Sequence, residues 1–528
     1  MTENQLKALA ISGQGLCIDD VVTLVTDSNR RVAVSDKSLA AIAEGHSILQ
    51  EVIPCEIVYG VNTGFGPMAS CVLPHAQLVE LQYNLVRSHA VGVGDPIESR
   101  FVLAAMLVRL NTLAQGASGV SVDLAKALED LINHRVIPIV PEHGAVGTSG
   151  DLVQLAHVAL ALIGEGNVSF NRREVSAKAA LEATGLKPYQ LGPKEGLSLI
   201  NGTSMMTAIA ALVCAEARQL VELATLLGAL GLEIVRAFDD GISHELHARR
   251  PHPGQRHVAA RLRNHLDAST LLRDRRKTFA GEAERSAGQQ LPECVQEVYS
   301  LRCIPQILGP IHDAVERAAD VVETELNSVT DNPIVSRDER CFLHGGNFHG
   351  DYVATAMDQL KIAIVKLTIL SERRVNFYMT HGINRVLPPF LNLRTLGLNL
   401  GLQGMQFVAT STTAQSQTFA FPQSIHSIPT NGDNQDVVSM GTDAALLARK
   451  VIDNATIVTA LEAIAATQAV DCMNLAPELS TSTKRLYDMI RALLPKVTDD
   501  RPLSAEIASV IDALKRTPAS HPASRVGF

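Results

Sequence analysis

At 528 residues the chain exceeds one ordinary domain and can bury a large core; domain sizes suggest about three or four domains, a rule that long helical bundles break. Tryptophan is absent, aromatics make up 4% and alanine and leucine abound, so helix is favoured over sheet. Forty-six basic residues against 55 acidic ones give a formal net charge of -9 with no long basic tract, which argues against nucleic acid or an anionic membrane as partner.

The start, Met1 to Lys7, lacks a basic stretch followed by an apolar core, so no secretory signal is expected. No apolar run reaches membrane-spanning length without charge; the run from Ala208 stops at Glu216 and Arg218. Eight cysteines with no Cys-x-x-Cys pair suit free thiols in a reducing cytoplasm. A helix is predicted over Lys37–Glu51, started by Ser35-Asp36. Next comes Tyr59-Gly60-Val61-Asn62-Thr63-Gly64-Phe65-Gly66, whose glycines and Asn62 disfavour regular structure and suggest a mobile loop carrying a tyrosine to a site. No Gly-Lys-Ser/Thr follows it, so a phosphate-binding loop is excluded.

Apolar spacing predicts helices over Leu78–His89, Ser99–Leu113 and Ser121–Asn133. Pro138 and Pro141 then break the pattern and lead into Val140 to Leu152, which contains Thr148-Ser149-Gly150-Asp151. Asp151 stands at the N-cap position of a helix whose apolar face is Leu152, Leu155, Val158, Ala159 and Leu162, ending at Gly164 and Gly166. A hairpin-like excursion is expected from there to Glu195. Long helices are expected over 203–237, 311–327, 357–378 and 443–473, apolar on more than one face as in the core of a bundle. Residues 248–277, rich in Arg and Lys, read as a solvated, partly irregular connection. The expected organisation is a mainly α fold: an N-terminal lobe (1–200), a central helical bundle (201–475), and a helical cap with a frayed Pro- and Ser-containing tail (476–528).

The Thr148–Asp151 stretch admits a plain reading, a polar turn feeding a capped helix, since these residue types gather at helix starts for local reasons. A serine-hydrolase elbow fails because Asp151 stands where Gly-x-Ser-x-Gly needs glycine. The sharper reading is self-reaction. If the Gly150 nitrogen attacks the Thr148 carbonyl carbon and two waters leave, Ser149 becomes a dehydroalanine-like electrophile in a methylidene-imidazolone (MIO) ring. Glycine suits the distortion that closure demands, and the positive end of the following helix favours charge building there.

This loop and the Tyr59 loop, with Asn201-Gly202-Thr203, Tyr299-Ser300-Leu301-Arg302, Gly345-Gly346-Asn347-Phe348-His349-Gly350 and Asn434-Gln435-Asp436, resemble the aromatic amino acid ammonia-lyase and aminomutase family. The matches keep the family's order from about Tyr59 to Met440. One departure is Thr148, where the family usually has alanine; its side chain lies outside the ring-closing atoms, so the ring is still expected to form.

The resemblance implies the fumarase/aspartase-like helical bundle and an MIO made from Thr148, Ser149 and Gly150, with no external cofactor and no metal. It further implies a homotetramer whose active sites are shared between subunits. The amino group of the substrate adds to the ring, a base removes a β-proton, and elimination releases an unsaturated acid and ammonia. Tyr59 is the candidate base; an ordinary tyrosine titrates near pH 10, so it serves only where neighbours favour phenolate, and a well-placed base is worth roughly 10²- to 10⁴-fold. Gly66 and Tyr299 are grouped with it as catalytic. Arg302 offers a bidentate fork for the substrate carboxylate. Asn201 and Gln435 would stand near the ring and amino group, while Leu152 and Phe348 would line the pocket. His344 and His349 lack the companions of a zinc site.

Ser88-His89 matches the pair that faces the substrate ring, a pairing found in histidine lyases and in some tyrosine lyases. Gln415 stands where histidine lyases carry glutamate, so the carboxylate suited to an imidazolium is missing. The run Gln82 to His89, taken with Gly150 to Leu155, most resembles bacterial tyrosine ammonia-lyases, and that resemblance implies tyrosine to p-coumarate and ammonia, with phenylalanine slower. A 2,3-aminomutase, a lyase preferring phenylalanine or histidine, and a catalytically silent relative are the alternatives.

Overall fold

The computed structural model describes residues 8–282, 288–291 and 293–516. The tail expected beyond the C-terminal cap and the first seven residues lie outside them. The chain is mainly helical and divides into two compact units. One comprises Met1–Ala215, Arg317–Gln359 and Pro422–Arg449; the other comprises Glu216–Glu316, Leu360–Phe421 and Lys450–Phe528. The division does not follow chain order because the long helices Ser204–Ile234, Ile304–Leu326, Asp351–Met379 and Gly441–Met473 each contribute residues to both.

Within the first unit the local signals hold closely. The helices are Asp36–Val52, capped by the Ser35 hydroxyl accepting from Ser38 N–H, then Leu78–His89, Ser99–Leu113, and Val122–Asn133, capped by Ser121. The excursion after Gly166 is a hairpin, Asn167–Phe170 antiparallel to Arg173–Ser176, followed by the helix Ala177–Thr184. Among the described residues every strand belongs to this unit, and each sheet has two or three short strands. A core of Ile48, Leu49, Val52, Ile53, Val58, Val61 and Leu78 closes against Val335 and Phe342 of the hairpin Ile334–Ser336/Cys341–Leu343. Burial of Val58 and Val61 is what fixes Tyr59 between them.

In the second unit two expectations change. The helix expected from Ile311 begins at Ile304 and contains Pro310. Ile304, Leu308, Ile311 and Val315 are all buried at helical spacing, so packing of one face outweighs the roughly 3 kcal/mol that an internal proline costs. The region read as a solvated connection holds the helix Pro253–His265, which buries Gly254, Gln255, Val258, Ala259 and Leu262 on one side. Its charges occupy the other face, and their number masked the period. The cap consists of helices Thr481–Leu493 and Ser504–Arg516.

The helix Gly441–Met473 is long and apolar enough to cross a membrane, but 78% of its most apolar window is buried within the protein, as in a core helix. In the second unit it carries Glu462, which faces Arg374 at 2.8 Å with neither side chain exposed. Burial pushes the Glu462 carboxyl up to about 7, and the guanidinium opposes that rise.

Candidate active site

The ring-forming loop lies entirely within the first unit, and three segments hold it. Before the tripeptide, the Gly147 carbonyl accepts from the Ser439 hydroxyl at 2.9 Å and from Gly350 N–H at 3.3 Å, and the Val146 carbonyl accepts from Met440 N–H at 3.1 Å. At the tripeptide, Gly202 brackets the chain: its N–H donates to the Ser149 carbonyl at 3.2 Å and its own carbonyl accepts from Asp151 N–H at 2.8 Å. Gly150 has φ +71°, and a Cβ there would overlap the Gly202 carbonyl oxygen, so the position admits glycine alone. Thr148, Gly150 and Asp151 are buried while Ser149 is only half-buried, which leaves the residue that would become the electrophile as the approachable one.

Asn201 and Gln435 converge on Ser149 as the motif order implies. Asn201 Nδ2 donates to the Ser149 carbonyl at 3.0 Å, giving that oxygen a second N–H donor beside Gly202. Gln435 Nε2 donates to Ser149 Oγ at 3.1 Å. Its orientation is set by Thr430, whose hydroxyl donates to Gln435 Oε1 at 2.7 Å at the end of the Thr430–Gln435 turn. Asn201 Oδ1 is buried without a partner among the described residues. Chemically, two donors on one carbonyl stabilise negative charge on that oxygen, as an oxyanion hole does.

Asp151 departs from its sequence reading. It occupies the N-cap position of Leu152–Leu162 but makes no side-chain cap there. Its Oδ2 instead accepts from Met205 N–H at 2.8 Å and Met206 N–H at 2.9 Å, capping the helix Ser204–Ile234, and its Oδ1 accepts from the Thr442 hydroxyl. Burial pushes this carboxyl up to about 6, opposed by those bonds and by the Arg109 guanidinium. Thr430, Ser439, Thr442 and Gly202 were not singled out from sequence as holding the loop; Gly202 stood inside a matched motif, and the hydroxyls carry no local signal.

Tyr59 is half-buried, and its phenol oxygen accepts from Gly66 N–H at 3.0 Å. Gly66 has φ +52° with Asn431 packed where a Cβ would stand. The Tyr59 loop, expected to be mobile, is densely bonded: Asn62 Oδ1 accepts from Val58 N–H, its Nδ2 donates to the Ile53 and Glu56 carbonyls, and Gln82 Nε2 donates to the Gly60 carbonyl. His344 Nε2 accepts from Tyr59 N–H at 3.2 Å, a structural role. Leu152 and Phe348 are half-buried. His349 Nε2 meets the Val437 carbonyl at 3.1 Å.

Ser88 and His89 end the helix Leu78–His89. His89 Nδ1 lies 2.9 Å from the Leu85 carbonyl, which can only accept, so Nδ1 carries a proton and Nε2 of the neutral ring is the acceptor. Ser88 Oγ is 3.1 Å from the same Nδ1 and bonds the Leu85 carbonyl.

The second unit holds Tyr299, Arg302 and Gln415. Tyr299 is 70% exposed and begins the short helix Tyr299–Arg302, with the Arg302 guanidinium 5.0 Å from its ring centroid. Arg302 Nε donates to the Glu297 carbonyl at 3.3 Å, and among the described residues neither Nη atom has a partner. Gln415 lies on Gln403–Phe419 and accepts from Asn454 Nδ2 at 3.0 Å. Among the described residues no cluster of three His, Cys, Asp or Glu side chains is placed to hold a metal.

Residues 16–492 match the aromatic amino acid lyase family. The histidine ammonia-lyase of Alkaliphilus metalliredigens is 38% identical over 497 residues, covering 94% of each chain. Among solved structures, tyrosine aminomutase from Streptomyces globisporus superposes with a TM-score of 0.93 at 37% identity over 97% of both chains. Phenylalanine aminomutase from Pantoea agglomerans does so with a TM-score of 0.92 at 34% identity over 96% of this chain and 99% of its own.

Proposed function

The chain belongs to the aromatic amino acid lyase family, and from that premise we propose that this carbon–nitrogen lyase deaminates an aromatic L-amino acid, tyrosine before phenylalanine or histidine, using an MIO built from Thr148, Ser149 and Gly150. The observation that carries it is the bracketed loop: Gly150 fixed at positive φ against Gly202, with Asn201 and Gln435 on the two oxygens of Ser149. In closure, Gly150 N bonds to Thr148 C, and its proton passes to the carbonyl oxygen. That hydroxyl leaves as water with the Ser149 amide proton, and Ser149 then loses its Cα proton and Oγ as a second water. The ring supplies an electrophilic methylidene carbon for the substrate amine.

The remaining work falls to side chains. Arg302 offers its two Nη atoms to the substrate carboxylate, and Tyr59, oriented by Gly66 N–H, removes the β-proton. Asn201 and Gly202 hold charge at the Ser149 carbonyl, and Asn201 Oδ1 is a spare acceptor for an ammonium. Leu152 and Phe348 wall the ring of the substrate.

The relatives' names include histidine, tyrosine and phenylalanine enzymes, so likeness alone does not rank the substrates. The preference for tyrosine rests on His89 Nε2 as acceptor for a phenol hydroxyl and on the neutral Gln415. Incubation with tyrosine, phenylalanine and histidine in turn, with product identification, tests it: p-coumarate formed fastest supports it, and urocanate formed fastest overturns it. Ser149→Ala is expected to keep the fold and abolish turnover; wild-type activity in that variant would end the lyase reading. Both aminomutase structures favour a second reading, retention of ammonia and its return to the β-carbon, which β-amino acid product would establish. By the same family likeness we infer a homotetramer with shared sites.

A further inference from the structure

Beneath the loop, still within the first unit, lies a set of buried charges that the reaction described above does not use. Arg109, on Ser99–Leu113, is fully buried. Its Nη1 donates to the Ser198 carbonyl at 3.3 Å, while Nε and Nη2 have no hydrogen-bond partner among the described residues. A Cβ on Gly202 would overlap Arg109 Nη2 and crowd Thr330 Oγ1, so the guanidinium packs directly behind the residue that brackets Ser149 and Asp151. Two carboxylates, Asp331 and Asp151, act on Arg109 electrostatically and oppose its desolvation. Asp331 is not Arg109's alone: Lys194, also fully buried, faces its Oδ2 at 3.4 Å and donates to the Ser118 carbonyl at 2.8 Å and to Ser198 Oγ at 3.0 Å. Glu325, which accepts from Thr203 Oγ1 at 2.5 Å, is a further carboxyl near Asp151, and burial pushes its pKa up.

A fully buried guanidinium with two nitrogens unbonded is a poor stabiliser, because desolvation of the charge exceeds what one hydrogen bond returns. Its position suggests what it does instead. Closure builds negative charge on the Thr148 carbonyl oxygen as Gly150 N attacks, one residue before the Ser149 carbonyl that the N–H groups of Gly202 and Asn201 bond. A fixed cation behind Gly202 raises the potential at that bracket in a medium where water cannot screen it.

We propose that Arg109 is a positioning residue for ring formation, its buried cation holding the Gly202 bracket and favouring charge at the closing tripeptide. This rests on the MIO reading above. The test is cell-free synthesis of the full chain, with the proteolytic peptide spanning 148–150 weighed over time. A wild-type peptide of full mass in active enzyme would sink the ring itself and leave Arg109 aside. With the wild type lighter by two waters, R109M is expected to lose water roughly tenfold more slowly, and R109K, which keeps a cation, to stay within about threefold of wild type. Closure of R109M at the wild-type rate overturns the proposal, as does R109K closing as slowly as R109M. Should R109M lose its helical circular dichroism, R109K decides alone: near-wild-type closure supports the role of charge, and roughly tenfold slower closure overturns it.

Discussion

Asp151→Asn isolates the charge that ties the loop to the helix Ser204–Ile234. The carboxylate is fully buried and accepts three bonds, from Met205 N–H, Met206 N–H and Thr442 Oγ1. Asparagine can satisfy all three, its oxygen taking the two amides and its NH₂ donating to the threonine, so the variant loses charge assistance of about 2 kcal/mol in total and no geometry. Against this, the folded carboxyl sits at about 6, above its ordinary value near 3.9, because burial disfavours the ion. The native state therefore binds a proton more tightly than the unfolded chain between those values. This group's contribution falls as pH rises through that window and is lowest above about 6, a change of about 3 kcal/mol at 1.36 kcal/mol per unit. Asparagine has no such term. Urea midpoints measured from pH 4 to 8 should show the wild type losing ground to D151N as pH rises, most steeply between about 4 and 6. Parallel pH curves for the two proteins would refute the assignment of a buried, proton-linked carboxylate at this position.

The other predictions concern the loop, the substrate and the second unit. Gly150→Ala forces a Cβ onto the Gly202 carbonyl at positive φ; the folded variant should carry the 148–150 peptide at full mass and show no turnover, and a peptide lighter by two waters would contradict it. His89→Phe removes the Nε2 acceptor and should move the tyrosine-to-phenylalanine ratio of kcat/KM toward phenylalanine by about tenfold, one hydrogen bond's worth; an unchanged ratio shows that His89 does not read the para position. Glu462→Gln strands Arg374 as a buried unpaired cation and should cost about 3 kcal/mol at pH 8, recovered in large part by adding Arg374→Met. A single variant as stable as the wild type would show the pair to be dispensable.

Much of the helical frame was legible because its signals are local. Ser35 and Ser121 cap where hydroxyls precede an apolar period, and Leu78–His89 and Ser99–Leu113 begin and end where their patterns do. What failed were rules that packing can override. Pro310 lies inside a helix because four buried side chains on one face hold it, and Pro253–His265 looked solvated because arginines crowd the face turned from its core. In the candidate site, motif order brought Ser149, Asn201 and Gln435 forward and the fold places them together, whereas Thr430, Ser439 and Thr442 bond there only because the fold brings distant segments to the loop. A lone threonine or serine advertises nothing of that in sequence.

The misplaced cap is the informative case. As an N-cap Asp151 would bond an amide in the first turn of its own helix; the fold gives it amides some fifty residues on and a hydroxyl nearly three hundred residues on. Read with Gly147 tied to Ser439 and Gly350, this means that both ends of the tripeptide are fixed by tertiary bonds while its middle residue stays approachable. Cyclisation joins atoms two residues apart, so its barrier is lowest when the ends are held bent beforehand and little chain entropy is left to lose. Ring formation should then require the folded first unit, and a chain kept unfolded in urea should retain the 148–150 peptide at full mass until refolding begins. A peptide that loses two waters while the chain is still unfolded would show that the tripeptide closes by its own sequence, and that the bonds around it serve some other end.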